Sequence, residues 1–143
     1  MNASPLPVIH LTPDPLDPMA LIQSVSHEGA GAIDMFIGTV RNETKGRAVR
    51  RLEFEAYEPM ALQEMEKIAR KVQGRWQGAH IAIHHRTGIL LPGETAVIIA
   101  VATPHRAASF AACRYAIDTL KETVPIWKRE VFTDGAVWVA AHP

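Results

Sequence analysis

A concentration of positive charge stands out in the segment 41–51. It holds five cationic side chains against the single acid Glu43, in a chain whose 15 Lys and Arg balance its 15 Asp and Glu. The cations are Arg41, Lys45, Arg47, Arg50 and Arg51. Arginine's planar fork suits phosphate and carboxylate groups. The segment predicts either an anion-binding loop or a solvated hairpin tip.

A second basic pair, His105 and Arg106, follows Thr103-Pro104, where the most apolar predicted strand gives way to a helix. Free backbone N–H groups at a helix N-terminus attract anions, whereas cations there oppose the helix dipole. The pair therefore favours an anion site that includes these side chains. The alternative is that both side chains point into water.

Two lysines flank a Pro-Ile-Trp turn near the end of the chain. Lys121 falls in the last turn of the predicted third helix, where the dipole favours a cation, and Lys128 falls in the next strand. Each has an ordinary structural explanation. If the two converge on one pocket, a partly desolvated lysine there could act as acid, base or nucleophile.

The histidines and the cysteine carry weaker signals. His80, His84 and His85 lie near one strand, but they lack an acidic partner or a helical His-x-x-x-His spacing, so we expect no metal site. Cys113 is the one cysteine and lies in an apolar helical stretch, which favours a buried structural thiol. No internal disulfide is possible.

Composition limits the function classes. A neutral chain of 143 residues is unlike a polyanion binder, so we expect no nucleic-acid partner. The longest apolar run, Ala96–Ala102, is far short of the roughly 20 residues that span a bilayer. The N-terminus lacks the charged start and apolar core of a secretory signal. We therefore expect a cytoplasmic protein without a membrane partner.

The elements that must position these residues form one predicted domain over 1–143, with a proline-rich arm over 1–16 that holds a short strand. Helices are predicted from Asp17 to near Gly29, from Pro59 to about Gln73 and from His105 to Thr123. The segment 41–48 is predicted as a loop. The remaining periodic segments predict an α+β fold with mixed or antiparallel sheet. These strands are 32–39, 49–56, 81–86, 95–103, 126–132 and 136–139.

An ordered set of motifs resembles the catalytic subunit of molybdopterin synthase from about Ile33 to Trp138. Each motif is weak alone, and the set is specific. The motifs are Gly38-Thr39-Val40-Arg41-Asn42, Leu52-Glu53-Phe54-Glu55-Ala56-Tyr57, His85-Arg86-Thr87-Gly88, Pro92-Gly93-Glu94, His105-Arg106 with Phe110, Asp118-Thr119-Leu120-Lys121 and Pro125-Ile126-Trp127-Lys128-Arg129-Glu130.

The resemblance implies an α/β hammerhead-type fold and a sulfurtransferase of molybdenum cofactor biosynthesis. Such an enzyme converts cyclic pyranopterin monophosphate (precursor Z) into molybdopterin. The two dithiolene sulfurs come from the C-terminal thiocarboxylate of a small ubiquitin-like carrier subunit. A homodimer binding one carrier at each end forms a heterotetramer, and some pocket contacts come from the other protomer. No further cofactor is implied.

The resemblance also implies roles for individual residues. Arg41, His105 and Arg106 would contact substrate, with backbone contributions from Thr39 and Val40. Lys121 would lie beside the carrier's terminal glycine as the main acid, base or electrostatic group. Lys128 would be the second pocket lysine. Arg129 and Glu130 would shape the walls.

Two departures from the family pattern are visible. Ser109 replaces a common alanine, and His142 falls where a basic tail residue is expected, which would weaken a tail contact or make it pH-dependent. Two other readings of the basic residues exist: a non-catalytic anion- or nucleotide-binding regulatory domain, and a dimer module whose basic loop docks a protein.

Overall fold

The computed structural model describes Pro5 and residues 7–143. It contains three helices: α1 (Pro18–Val25), α2 (Glu58–Arg75) and α3 (Arg106–Thr123). The strands are β1 (Val8–Thr12), β2 (Ala32–Thr39), β3 (Glu43–Thr44), β4 (Arg47–Ala56), β5 (His80–Arg86), β6 (Gly88–Leu90), β7 (Thr95–Thr103), β8 (Ile126–Phe132) and β9 (Val137–Ala140). Of the predicted arm, residues 1–4 and 6 lie outside the described part.

The first sheet has the strand order β1-β5-β7-β2. β1 runs parallel to β5, and the other neighbours are antiparallel. β7 is central and almost wholly buried, as its continuous apolar sequence predicts. One face packs against α1 through Leu21 and Val25, and the other faces α2, α3 and the second sheet. The central strand is therefore covered on both faces.

The second sheet is antiparallel, with the order β3-β4-β8-β9 and β6 on β4 as well. The register pairs Leu52 with Glu130 and Phe54 with Lys128. Because side chains alternate along a strand, these four residues share one face of the sheet. The α+β prediction, with mixed and antiparallel sheets and three helices, is confirmed.

Local sequence explains how the first helix begins. Asp17 Oδ1 accepts a hydrogen bond from the Met19 amide, and Pro18 occupies the first helical position. The prediction that α1 continues to near Gly29 is wrong. Ser26 has an extended backbone, and its N–H closes the helix on the Ile22 carbonyl at 3.0 Å.

The prediction of a loop over 41–48 is also wrong in part, because β3 and the start of β4 form a small hairpin there. Its turn holds Lys45 and Gly46, both with positive φ, at 51° and 78°. Two such residues form the tight turn that matches strand twist, and glycine supplies one without steric cost. β6, with three residues, was too short for periodicity to reveal.

Candidate functional site

A cavity of about 140 Å³ opens between the two sheets beside the C-terminal end of α3. Its wall combines apolar side chains from β2, β4, β7 and α3 with a small set of charged ones. The lining residues are Phe36, Gly38, Thr39, Val40, Arg41, Thr44, Leu52, Phe54, His85, Ala96, Val97, Ile117, Leu120, Lys121, Lys128, Glu130 and Pro143.

Three cations from distant parts of the chain meet in this cavity. Arg41 lies just after the end of β2, Lys121 lies in the last turn of α3, and Lys128 lies on β8. The two lysines that flank the Pro-Ile-Trp turn thus converge with the first arginine of the basic segment. Such a set of cations favours an anionic molecule or an anionic reaction intermediate.

The pKa of the Lys121 ammonium is shifted from its ordinary value. Desolvation, followed by the charges of Lys128 and Arg41, lowers the pKa of its ammonium. Its Nζ donates a hydrogen bond to the Pro143 carbonyl at 3.3 Å. A lowered pKa makes the ammonium a stronger acid than an ordinary lysine, which favours a role in proton transfer.

Glu130 is the acidic member of the site and is only 4% exposed. Its Oε1 lies 3.6 Å from Lys128 Nζ. Among the described residues, nothing donates a hydrogen bond to its buried Oε2. A buried carboxylate oxygen without a donor costs free energy, so it is an acceptor available to a bound molecule.

The backbone beside Arg41 is fixed by the turn that precedes β7. The Val40 amide donates to the Glu94 carbonyl at 2.9 Å, and the Val40 carbonyl accepts from the Gly93 amide at 2.8 Å. Both backbone groups of Val40 are thus engaged within the chain. Val40 therefore anchors the backbone next to Arg41, and the backbone contact with substrate that the family resemblance implies stays a prediction.

His105 and Arg106 do not reach this cavity. They lie at the first turn of α3, whereas Lys121 lies in its last. At 1.5 Å per residue, the fifteen-residue separation of Arg106 and Lys121 corresponds to about 22 Å along the helix axis. One chain therefore does not assemble the complete set of predicted contacts.

Arg129 also lies outside the cavity. It follows Lys128 on β8, so its side chain points to the opposite face of the sheet. Its Nη1 donates to Glu53 Oε1 at 3.1 Å. The prediction that Arg129 shapes the pocket wall is therefore unsupported in this chain, whereas Glu130 does line the wall.

The other cations of the segment 41–51 have partners elsewhere. Arg47 pairs with Asp134 at 3.0 Å, and Arg51 pairs with Glu53 at 2.7 Å. Lys45 lies over the Trp138 ring. These residues therefore behave as a solvated hairpin would. Only the interpretation of Arg41 as an anion-binding residue remains, because among these cations it alone lines the cavity.

Sequence reasoning missed several lining residues, of which Phe36 and Phe54 are the largest. Strand alternation could have indicated Phe36, because it places Phe36 and Gly38 on the face of β2 opposite Ile33 and Ile37. A Cβ at Gly38 would lie 2.7 Å from Val97 Cγ1, so glycine permits the close approach of β2 and β7.

Other candidate chemistry is limited. In the described part of the chain, no three His, Cys, Asp or Glu side chains gather as metal ligands would. The helices described there include none that is both long and apolar enough to cross a membrane. Cys113 is buried, and burial followed by the charge of Asp34 raises the pKa of its thiol to about 12.

The fold and cavity thus define an α+β protein with a cationic pocket between its two sheets. The family model described as MoaE protein matches residues 11–123. The Bacillus subtilis molybdopterin synthase catalytic subunit is 48% identical over 129 residues, which cover 90% of this chain and 82% of that protein.

Solved structures agree with this match. Molybdopterin synthase from Staphylococcus aureus superposes with a TM-score of 0.88 at 37% identity, covering 92% of this chain and 96% of that one. A Helicobacter pylori chain, from a complex of subunits 1 and 2 of molybdopterin-converting factor, shares the fold with a TM-score of 0.74 at 23% identity. It covers 97% of this chain and 94% of that chain.

The chain belongs to the MoaE family of molybdopterin synthase catalytic subunits. It is therefore an enzyme subunit of molybdenum cofactor biosynthesis.

Proposed function

We propose that this chain converts cyclic pyranopterin monophosphate into molybdopterin by installing two dithiolene sulfurs. The observation that carries the proposal is the meeting of Arg41, Lys121 and Lys128 in one cavity. A phosphorylated substrate needs cations that remain charged, and sulfur transfer from an acyl carrier needs a group that can shift a proton. The cavity contains side chains of both kinds.

Arg41 is proposed to bind an anionic group of the substrate. Its guanidinium stays protonated at physiological pH and can make two parallel hydrogen bonds to phosphate. The bonds between Val40 and the turn at Gly93 and Glu94 hold the backbone next to it. This anchoring lowers the entropy that Arg41 would otherwise lose on binding.

Lys121 is proposed to act at the carrier's terminal carbonyl. The ammonium stabilises negative charge that develops on the acyl oxygen, and its lowered pKa eases proton transfer when the bond to sulfur is broken. In the free chain, Nζ donates to the main-chain oxygen of Pro143 at 3.3 Å, so an oxygen acceptor already lies at the position where the acyl oxygen would bind. Lys128, paired with Glu130, supplies the second positive charge.

The sulfur is proposed to come from outside the chain. The chain has one cysteine, Cys113, and burial keeps it protonated. A thiol in this state is a poor nucleophile and offers one sulfur where the product needs two. A small subunit that carries a thiocarboxylate at the end of an extended C-terminal tail would supply these sulfurs. The two-subunit complex of the Helicobacter pylori relative is consistent with such a partner.

A second copy of the chain is proposed to complete the site. His105 and Arg106 lie about 22 Å along α3 from Lys121, so they can join Arg41 only from a neighbouring protomer. A homodimer with shared sites and one carrier at each end gives a heterotetramer. His105 and Arg106 would then add substrate contacts across the dimer interface.

The test is a reconstituted reaction containing the chain, precursor Z and a thiocarboxylated carrier, with the product measured by mass spectrometry. Lys121→Ala should remove at least 99% of the product rate, since a central acid–base group contributes about 10²–10⁴-fold. Lys67→Ala, an exposed lysine on α2, is the matched control and should retain full activity. A folded native chain that binds carrier but makes no product would instead support a regulatory or docking role.

Subunit complementation tests the shared site. Arg106→Ala and Lys121→Ala should each be inactive alone. After the two variants are mixed through an unfolding and refolding cycle, random pairing restores one intact site in half of the dimers. About a quarter of native activity should then return. Absence of recovery in verified mixed dimers would place Arg106 outside the partner's site.

A further inference from the structure

Strand β2 forms one edge of the first sheet and carries exposed apolar side chains. Among the described residues it pairs with β7 alone, so every second N–H and C=O along it points away from the sheet. Ile33 and Ile37 are 43% and 44% exposed, because the helix on their side of the sheet, α1, packs on β5 and β7. Natural edges are commonly blocked by lysine, proline or a bulge, and β2 has none of these over 32–38.

The two ends of β2 lie beside the two separated groups of proposed substrate contacts. At its start, the Gly31 amide donates to the Thr103 carbonyl at 3.0 Å. A Cβ at Gly31 would collide with the carbonyl oxygen of the next residue, Pro104. His105 and Arg106 come directly after. At its other end, β2 leads into the cavity that holds the three cations.

An antiparallel pair of β2 strands from two copies would join these two groups. In such a pair, a twofold axis perpendicular to the sheet places the start of each strand beside the end of the other. α3 packs on β2 and β7 and lines the cavity, so the partner's α3 begins on the face where the cavity lies. A parallel arrangement of the same edges would keep like ends together and leave the two groups apart.

We propose that β2 is the dimerisation edge of this protein and pairs antiparallel with β2 of a second copy, in a register centred on Met35. This register places Ile33 opposite the partner's Ile37, on the face where both are exposed. The apolar side chains then cover one another, which is the contact that stabilises neighbouring strands. Met35, half-buried against the core beneath α1, lies opposite its own copy at the axis.

The same register completes the candidate site across the axis. It places Thr39 opposite the partner's Gly31, so the partner's Thr103 lies two strand spacings, about 10 Å, from Thr39. The partner's His105 and Arg106 come next in its chain, and one phosphorylated substrate can touch them and the cations of the cavity. The inference deepens the proposed function and rests on it for the substrate that the shared site binds.

Disulfide cross-linking tests the register in the chain without substrate or carrier. In Met35→Cys, each new thiol lies opposite its own copy, at a Cα separation of about 4.5–5.5 Å that a disulfide accepts. Mild oxidation should turn most of this variant into covalent dimer. In Ile33→Cys, the matched control on the same face, the two thiols lie four residues apart along the strands, roughly 13 Å, and should stay reduced. Adding Ile37→Cys to Ile33→Cys should restore cross-linking. Equal cross-linking of the two single variants, or none in any variant, would overturn the register.

Sedimentation equilibrium tests the edge itself. The native chain should be dimeric at about 10 µM, and Ile37→Lys should weaken the dimer by roughly tenfold or more, because an ammonium cannot pack against the partner's Ile33. Ile89→Lys, at a 61% exposed residue of β6, is the matched control and should sediment as the native chain does. A monomeric native chain, or a dimer lost in Ile89→Lys and kept in Ile37→Lys, would overturn the proposal. An intact Ile37→Lys dimer with weakened carrier binding would also overturn it, since the edge would then hold the carrier's tail.

The reconstituted reaction separates this inference from the proposed function. Ile37→Lys monomers should bind precursor Z roughly tenfold more weakly than the native dimer, because they lack the partner's His105 and Arg106. A native dimer that cross-links through Met35→Cys and makes no product would contradict the proposed function and support the interface. An active native chain whose dimer does not involve β2 would contradict this inference alone.

Discussion

Arg86 Nη1 donates to Glu94 Oε2 at 2.6 Å, joining the end of β5 to the turn that precedes β7. The Arg86 side chain is 10% exposed, and its Nη2 also donates to the Pro13 carbonyl at 3.0 Å. The same turn holds both backbone groups of Val40, the residue before Arg41. An ion pair outside the cavity, with a nearly buried arginine and a partly exposed glutamate, therefore supports the backbone that carries a proposed substrate contact.

Arg86→Lys should weaken that support, because an ammonium cannot reproduce the fork that reaches two acceptors at once. We expect the free energy of unfolding to fall by about 2 kcal/mol, measured by urea denaturation. KM for the phosphorylated substrate should rise as the backbone at Arg41 loosens. Arg70→Lys, on the exposed face of α2, is the control. If the Arg86→Lys protein were as stable as the native chain, the paired hydrogen bonds of the Arg86 guanidinium would contribute little to the free energy of unfolding.

Arg41→Ala should weaken binding of the phosphorylated substrate by roughly 10- to 100-fold, the loss expected for a charge-assisted hydrogen bond. Isothermal titration with precursor Z measures it directly. Arg47→Ala removes the same charge from the same segment, but Arg47 pairs with Asp134 outside the cavity, so its affinity should stay within about twofold of native. Equal losses in both variants would point to a diffuse charge effect.

Lys121→Met should abolish turnover and stabilise the fold at neutral pH. Because the folded pKa lies below the unfolded one, the folded state disfavours the ammonium. That cost is present below the folded pKa and disappears as the pH rises above the unfolded pKa. The Tm gain of Lys121→Met should thus be positive at pH 7 and shrink toward pH 11. A lower Tm at pH 7 would mean that the Pro143 contact outweighs the desolvation of Lys121.

His85 should make the fold sensitive to acid. Its pKa is about 4 when folded against an ordinary 6.5, so the unfolded chain binds the proton first as pH falls. Stability from this source is complete above pH 6.5 and is lost between pH 6.5 and about 4, on the order of 3 kcal/mol. His85→Gln should flatten this part of the stability curve, measured by denaturation at each pH. If the free energy of unfolding fell with pH equally in the native and His85→Gln proteins, His85 would not be the source of the acid sensitivity.

Cys113 should resist thiol reagents in the folded chain. Its pKa of about 12 leaves almost no thiolate at pH 8, and its burial blocks access. Ellman's reagent should react with native protein only as fast as it unfolds, and at once in denaturant. Cys113→Ala should keep sulfur transfer, since the sulfur is proposed to arrive on the carrier. Rapid labelling of the native state would require a different environment for this thiol.

Much of the fold follows from local patterns in the sequence. The strands over 32–39 and 95–103 match their predicted bounds, because alternation and a continuous apolar run are direct signs of half-buried and central strands. The errors fall where backbone geometry decides the structure. Ser26 ends α1 through an extended conformation, and the Lys45-Gly46 turn makes a hairpin from a segment of polar composition.

Only part of the candidate site could be recognised from the sequence, because the rest depends on how distant segments pack together. Arg41, Lys121 and Lys128 could be selected by residue type and motif, and the structure brings them together. His85 belongs to a family motif, but the sequence did not place it in the cavity, since its environment depends on β5 packing against residues far away in the chain. Arg129 shows the reverse case: its neighbour Lys128 enters the cavity, and strand alternation turns Arg129 away.

The sequence by itself determined the class of fold, the family and which cations could serve an anionic substrate, because periodicity, residue type and motif order are local properties. The tertiary structure decided which cations share a cavity and which are neutralised by partners. It also left His105 and Arg106 outside the cavity that Lys121 lines, and it fixed the neutral state of His85. These properties depend on distance and desolvation, which arise only when remote segments pack together.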